Sequence, residues 1–131
     1  MRLFAADSRW RGRTSPDYWG LVSPFGGFTA ATMLRALTEH PQRAGDPVAL
    51  TVNFCAAIAE GDFDLDVRLI KANRSSQHWY VELSQRGADV ATIATAIFAE
   101  RRPSRSHQVA PVQTVNRWRR RDRCSLRPPA G

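Results

Sequence analysis

The chain is poor in the features that most often announce a chemistry. Its 131 residues hold two cysteines, three histidines and no uninterrupted apolar run of the ~18 residues that a membrane span needs. Cys55 sits in an apolar stretch and Cys124 in a polar one, so no disulfide framework is implied. His40, His78 and His107 fall at a helix end, on the wet face of a strand and in the tail, and no spacing among them resembles a metal site. No serine-nucleophile elbow and no phosphate-binding glycine loop occurs. The opening Met1–Trp10 is too short in apolar length for a signal peptide. These absences predict one domain in a cytoplasmic setting, with no metal, no cofactor and no membrane partner.

Charge of one sign is abundant only at one end. The formal net charge is +7, which by itself suggests nucleic acid. Residues 103–131, however, hold seven arginines against one acid, Asp122, while residues 1–102 are close to neutral. Arg, Pro and Ser dominate that tail, with Trp118 alone among arginines, and it is expected to carry no packed structure. Seven arginines and a tryptophan could bind phosphates and stack on a base. A solvated tail is the plainer expectation, and nucleic acid ranks last among the partners considered.

What is present centres on Ser23–His40. Ala30, Met33, Leu34 and Leu37 recur at helical spacing, and Phe28, Ala31 and Ala36 fill most of the remaining circumference. A helix apolar nearly all round expects protein on most sides. Thr29, Thr32 and Thr38 can return their hydroxyl bonds to the helix backbone. Pro24 suits a first-turn position, Gly26 and Gly27 bare the helix start, and Pro41 forbids continuation.

Beyond the loop at 41–47 the period changes from 3.6 to 2. Val48, Leu50, Val52 and Phe54 alternate with polar or small residues, as do Phe63, Leu65, Val67 and Leu69, and then Trp79, Val81 and Leu83. Asn73–Ser76 and Arg86–Asp89 read as turns. Both alternating sets of Val90–Ala99 are small or apolar, which predicts a strand covered on both faces, central in the sheet or at a subunit contact. Residues 1–22 suggest a short edge strand or ordered arm near Tyr18–Val22, with Trp10, Tyr18 and Trp19 covering the core. One helix followed by four long strands gives an α+β domain, and strands of roughly 33 Å can curl around a helix of roughly 21 Å.

Chemistry-bearing candidates are few. Asp64 and Asp66 share a strand face, where solvation is the better explanation. Phe25-Gly26-Gly27 is more informative, since exposed amides at the positive end of a helix can hold an anion or polarise a carbonyl. In thioester cleavage they would form an oxyanion hole. Equally, two glycines could merely let the helix start pass close to a neighbouring strand.

Ser23–Ala31, then Gly45–Phe54, Asn73–Trp79 and Ala94–Ala99, resemble in order the first half of a double hot-dog acyl-CoA thioesterase of the acyl-CoA thioesterase II type. The resemblance runs from about residue 19 to 108, with Phe-Gly-Gly its most specific piece. It implies a hot-dog fold over 1–102, a central helix wrapped by a curved antiparallel sheet. It also implies acyl-CoA as substrate and hydrolysis to free acid and CoA in lipid metabolism. Gly26 and Gly27 would supply amides to the thioester oxygen beside Phe25. Asn53, Asn73, Arg74, Ser75, Ser76 and Gln77 would border the acyl-CoA path, with Arg74 toward a CoA phosphate. Members carry a second hot-dog unit, which holds most of their catalytic Asp, Thr and Gln. This chain instead ends in its basic tail, which resembles out-of-frame translation of a GC-rich gene, and its helix has no carboxylate before Glu39. The catalytic residues are therefore left unassigned. The expectations are an acyl-CoA thioesterase-like unit acting as a homodimer or with a second hot-dog unit, or an acyl-CoA-binding or truncated remnant without catalysis.

Overall fold

The computed structural model describes residues 4–6, 9–85, 87, 89–107 and 109. Strands β1 (Phe4–Ala6) and β2 (Arg9–Arg13) precede a single 3-10 turn at Pro16–Tyr18 and helix α1 (Gly26–Thr38). Four strands follow: β3 (Asp46–Phe54), β4 (Asp62–Ala72), β5 (Ser76–Ser84) and β6 (Val90–Ala99). They form one six-stranded sheet in the order β1-β2-β4-β5-β6-β3, with every neighbour antiparallel. The helix packs on one face of that sheet, against β3, β4 and β5. This is the α+β arrangement expected from the period change after residue 47 and the helix-on-sheet layout that the resemblance implies. No described helix is long and apolar enough to cross a membrane.

The core forms where two periodicities meet. Thr29, Thr32, Met33, Ala36 and Leu37 are the buried face of α1. Across from them the alternating residues Phe63, Leu65 and Val67 of β4 and Trp79, Val81 and Leu83 of β5 are buried, as the period of two requires. Large residues on β5 stand opposite small ones on β6: Trp79 pairs with Ala96 and Val81 with Ala94. That pairing leaves volume for the tryptophan, whose ring meets Phe98 and His40 edge-on. Thr32 Oγ1 donates to the Phe28 carbonyl (2.8 Å) and Thr38 Oγ1 to the Arg35 carbonyl (2.9 Å), so these threonines are tolerated in a helix interior.

Four expectations need correction. Of the two forms expected for Tyr18–Val22, the edge strand gives way to the arm: the segment is exposed and outside the sheet strands, and the N-terminal strands lie earlier, at 4–6 and 9–13. The missed signal is Arg9-Trp10-Arg11-Gly12-Arg13, whose alternation buries Trp10 and sends the arginines out. Tyr18 and Trp19 do not cover the core; both are exposed. Helix α1 is covered on one side only, with Gly27, Ala31 and Arg35 facing out. Finally, β6 lies inside the sheet between β5 and β3, as expected, but the described residues of this chain cover only one of its faces, for Thr95 is exposed and Ile93 and Ile97 are half-buried. Its place next to edge strand β3 explains this, since no second layer lies over that outer face among the described residues.

Edge position also explains β3. Only Leu50 and Val52 pack on the core, whereas Val48 and Phe54 are each 57% exposed. Of the expected tail, residues 101–107 carry no helix or strand, and almost everything beyond, with Cys124 and Trp118, lies outside the described residues.

Candidate functional site

The start of α1 is a helix end with its donors uncapped. Phe25 occupies the cap position with no side-chain bond to the helix, and no acidic residue stands in the first turn. Phe28 N–H (2.9 Å) and Thr29 N–H (3.3 Å) donate to the Phe25 carbonyl. Among the described residues no acceptor takes the Gly26 or Gly27 N–H, so both remain for a ligand or water. The arm before the helix is held by Phe25 N–H to the Tyr18 carbonyl (2.8 Å) and Gly20 N–H to the Ser23 carbonyl (2.8 Å).

Aromatic rings crowd these amides. A Cβ on Gly26 would sit 3.1 Å from the Phe54 ring, and one on Gly27 would sit 2.6 Å from the ring of Phe25. Gly26 thus lets β3 come close through Phe54, as one of the two expectations had it, and Gly27 leaves room for the Phe25 ring. Tyr18 stacks on Phe28 at 4.8 Å and 14°. Two grooves flank the helix start. One, of ≈ 400 Å³, runs past Ser23, Gly26, Phe54 and Cys55 to Ile58. The other, of ≈ 460 Å³, runs along the open helix face past Tyr18, Phe25, Phe28, Ala31 and Thr32 to Arg35. Among the described residues no Asp, Glu or His lines either groove. The site can therefore bind and polarise a carbonyl, while a proton-abstracting group is not among its linings.

The remaining sequence candidates separate. Asn53 is exposed on β3 next to Phe54, whose ring lies close to Gly26. Asn73–Gln77 lies at the opposite end of the helix, where the loop after α1 passes. There Asn73 N–H bonds the Ser76 carbonyl (2.8 Å) and its side-chain amide reaches Ser76 Oγ (3.4 Å), so both mainly close the β4–β5 turn. Arg74 is exposed and Ser75 partly so at the tip of that turn. Gln77 is buried and its amide is spent on the loop: Nε2 donates to the Gln42 carbonyl (2.9 Å), while Oε1 accepts from Ala44 N–H (2.8 Å) and from Trp79 Nε1 (3.3 Å). Within this one chain, then, the two sets of candidates do not form a single pocket. Asp64 and Asp66 are paired with Arg11 (3.0 Å) and Arg68 (3.7 Å) on the solvated sheet face, in keeping with the structural expectation for them.

Tyr18, Phe54 and Cys55 were not picked out from the sequence as site residues. Only position reveals them, because the alternation in 48–54 places Phe54 among core residues. No group of three metal-ligating side chains occurs among the described residues.

The family model described as the acyl-CoA thioesterase N-terminal domain matches residues 15–99. A conserved hot-dog protein of unknown function from Alicyclobacillus acidocaldarius is 42% identical, with a TM-score of 0.80 over 87% of this chain and 43% of its own. A candidate thioesterase II from Thermobifida fusca is 18% identical, with a TM-score of 0.68 over 84% of this chain and 41% of its own. A Bacillus halodurans protein solved with CoA is 11% identical, with a TM-score of 0.61 over 70% of this chain and 66% of its own. No curated protein matches. The chain spans less than half the length of the first two structures it resembles. With 15–99 covering most of the folded part, and the helix and sheet arranged as above, the chain belongs to the acyl-CoA thioesterase N-terminal domain family, on a hot-dog fold.

Proposed function

We propose that this chain is the first hot-dog unit, residues 1–102, of an acyl-CoA thioester hydrolase of the thioesterase II type. The observation that carries the reading is the pair of unaccepted amides, Gly26 and Gly27, lying between two grooves in a chain of this family. Placed on those amides, a thioester oxygen gains two donors and the positive end of the helix. Water then attacks the carbonyl carbon, the oxyanion is held while tetrahedral, and the carbon–sulfur bond breaks to give free acid and CoA. Asn53 borders this path, and Phe25 and Phe54 exclude water from it. Asn73, Arg74, Ser75 and Ser76, at the far end of the sheet, meet the nucleotide end of CoA, with Arg74 toward a phosphate. Gln77 contributes by fixing the loop that leads into β3.

The base comes from a second hot-dog unit, because no carboxylate or imidazole lines the grooves. The free edge of β3, with Val48 and Phe54 exposed, is where that unit joins, as a second copy or a separate chain. A cytoplasmic role in lipid metabolism belongs with this reading, and residues 103–131 act as an unpacked tail. The experiment is a panel of acyl-CoAs assayed for thiol release and, in parallel, for binding by calorimetry. Turnover that falls at least about tenfold in Gly27→Val is expected, since a β-branched side chain covers the amides. No binding and no turnover would remove the reading. The same missing base favours a second reading, an acyl-CoA-binding unit without catalysis, which binding with no thiol release would select.

A further inference from the structure

Beneath the helix start, the described interior has no room for an acyl chain. Met33, Leu37, Trp79 and Phe98 are fully buried, and the space beneath the helix start among Thr14, Pro24, Phe28 and Ile58 is ≈ 10 Å³, about one water at most. Room exists outside. The ≈ 460 Å³ groove begins at Phe25, beside the Gly26–Gly27 amides, and follows α1 through Phe28, Ala31 and Thr32. Tyr18, stacked on Phe28, raises one wall. The far end is closed by charge: Arg35 lines it, and its Nε lies 2.6 Å from a carboxylate oxygen of Glu39 one turn on. The ≈ 400 Å³ groove on the β3 side is more polar, with Ser23 and Cys55 among its walls.

We propose that the helix-face groove seats the acyl chain and that the Arg35–Glu39 ion pair ends it, so that affinity for acyl-CoA stops rising at medium chain length; this rests on the reading of the amides as the thioester site. Gly26 to Arg35 is nine residues, or ~13.5 Å along the helix, which takes an extended chain of on the order of ten carbons. Each methylene up to that length leaves water for Phe25, Phe28 and Ala31 and gains at most about fourfold in affinity. A longer chain must lay methylenes on the ion pair and desolvate it, so the gain stops. The polar groove is left for the amide-bearing pantetheine arm.

The test uses the full chain and calorimetry with acyl-CoAs from butyryl to palmitoyl. Affinity should rise to about decanoyl and then level off. Arg35→Leu should move the break so that palmitoyl-CoA gains about fivefold or more, and Ala31→Trp should weaken decanoyl-CoA at least about tenfold while sparing butyryl-CoA. Both positions are exposed, and circular dichroism of each variant is the check on folding. A profile unmoved by either substitution overturns the groove and leaves the functional reading standing. A change of oligomeric state in Ala31→Trp with an unchanged profile also overturns it, making this face a subunit contact. If the unmodified chain binds no acyl-CoA, the functional reading fails and this inference falls with it.

Discussion

Single side chains decide the connection between the helix and the edge strand. Gln77 satisfies Gln42 and Ala44 in the loop that delivers β3, and Gln77→Leu would leave their backbone groups without partners. We expect that variant to lose about 2–4 kcal/mol in urea unfolding. Gly45 in the same loop has φ +76°, and a Cβ there would lie 2.5 Å from the Ala99 backbone, so Gly45→Ala should cost at least about 2 kcal/mol. His40 is buried against Trp79, its Nδ1 accepting from Gln42 N–H (3.2 Å). Burial lowers its pKa below the ordinary value of 6.5. The folded state then binds fewer protons than the unfolded state, so its stability is full above the unfolded value and declines as pH falls from about 6.5 toward the lowered folded value. Chemical denaturation at a series of pH values should register that decline in the parent chain and a flatter curve in His40→Phe. Thr92 Oγ1 is fully buried with no partner among the described residues, so Thr92→Val should be neutral or stabilising by about 1 kcal/mol.

Elements differ in how openly the sequence declares them. Strands β4 and β5 were legible because one face meets the helix and the other meets water, which stamps a period of two on Phe63–Leu69 and Trp79–Leu83. The alternation of 48–54 has the same form, yet Val48 and Phe54 stand in solvent, since period reports the strand and not whether anything lies over it. Helix α1 is the converse. Its apolar circumference predicts protein on most sides, whereas within this chain the sheet covers only the Thr29–Met33–Leu37 side. Leu37→Ala should therefore cost about 2–5 kcal/mol, and Ala31→Ser, on the open side, within about 0.5 kcal/mol, by thermal or urea unfolding.

At the scale of the whole molecule, the unfinished parts lie together. The free edge of β3, the exposed Leu21, Val22, Phe25 and Phe54, and both grooves surround the helix start. A surface of this kind is expected to be covered by another hot-dog unit. Light scattering of the chain should give a dimer, and Val48→Arg should shift it toward monomer with unchanged far-UV circular dichroism; a monomeric parent chain counts against self-pairing and leaves the separate second unit. The amino-acid sequence determined the α+β class, the helix, the four long strands and the two glycines, because hydrophobic period and backbone freedom are local properties. Which end of the helix collects the open surface, why Gln77 is spent on a loop and where a ligand has room were decided only by tertiary structure. Those outcomes depend on strand order and on neighbours far apart in the chain, and local pattern carries no record of them.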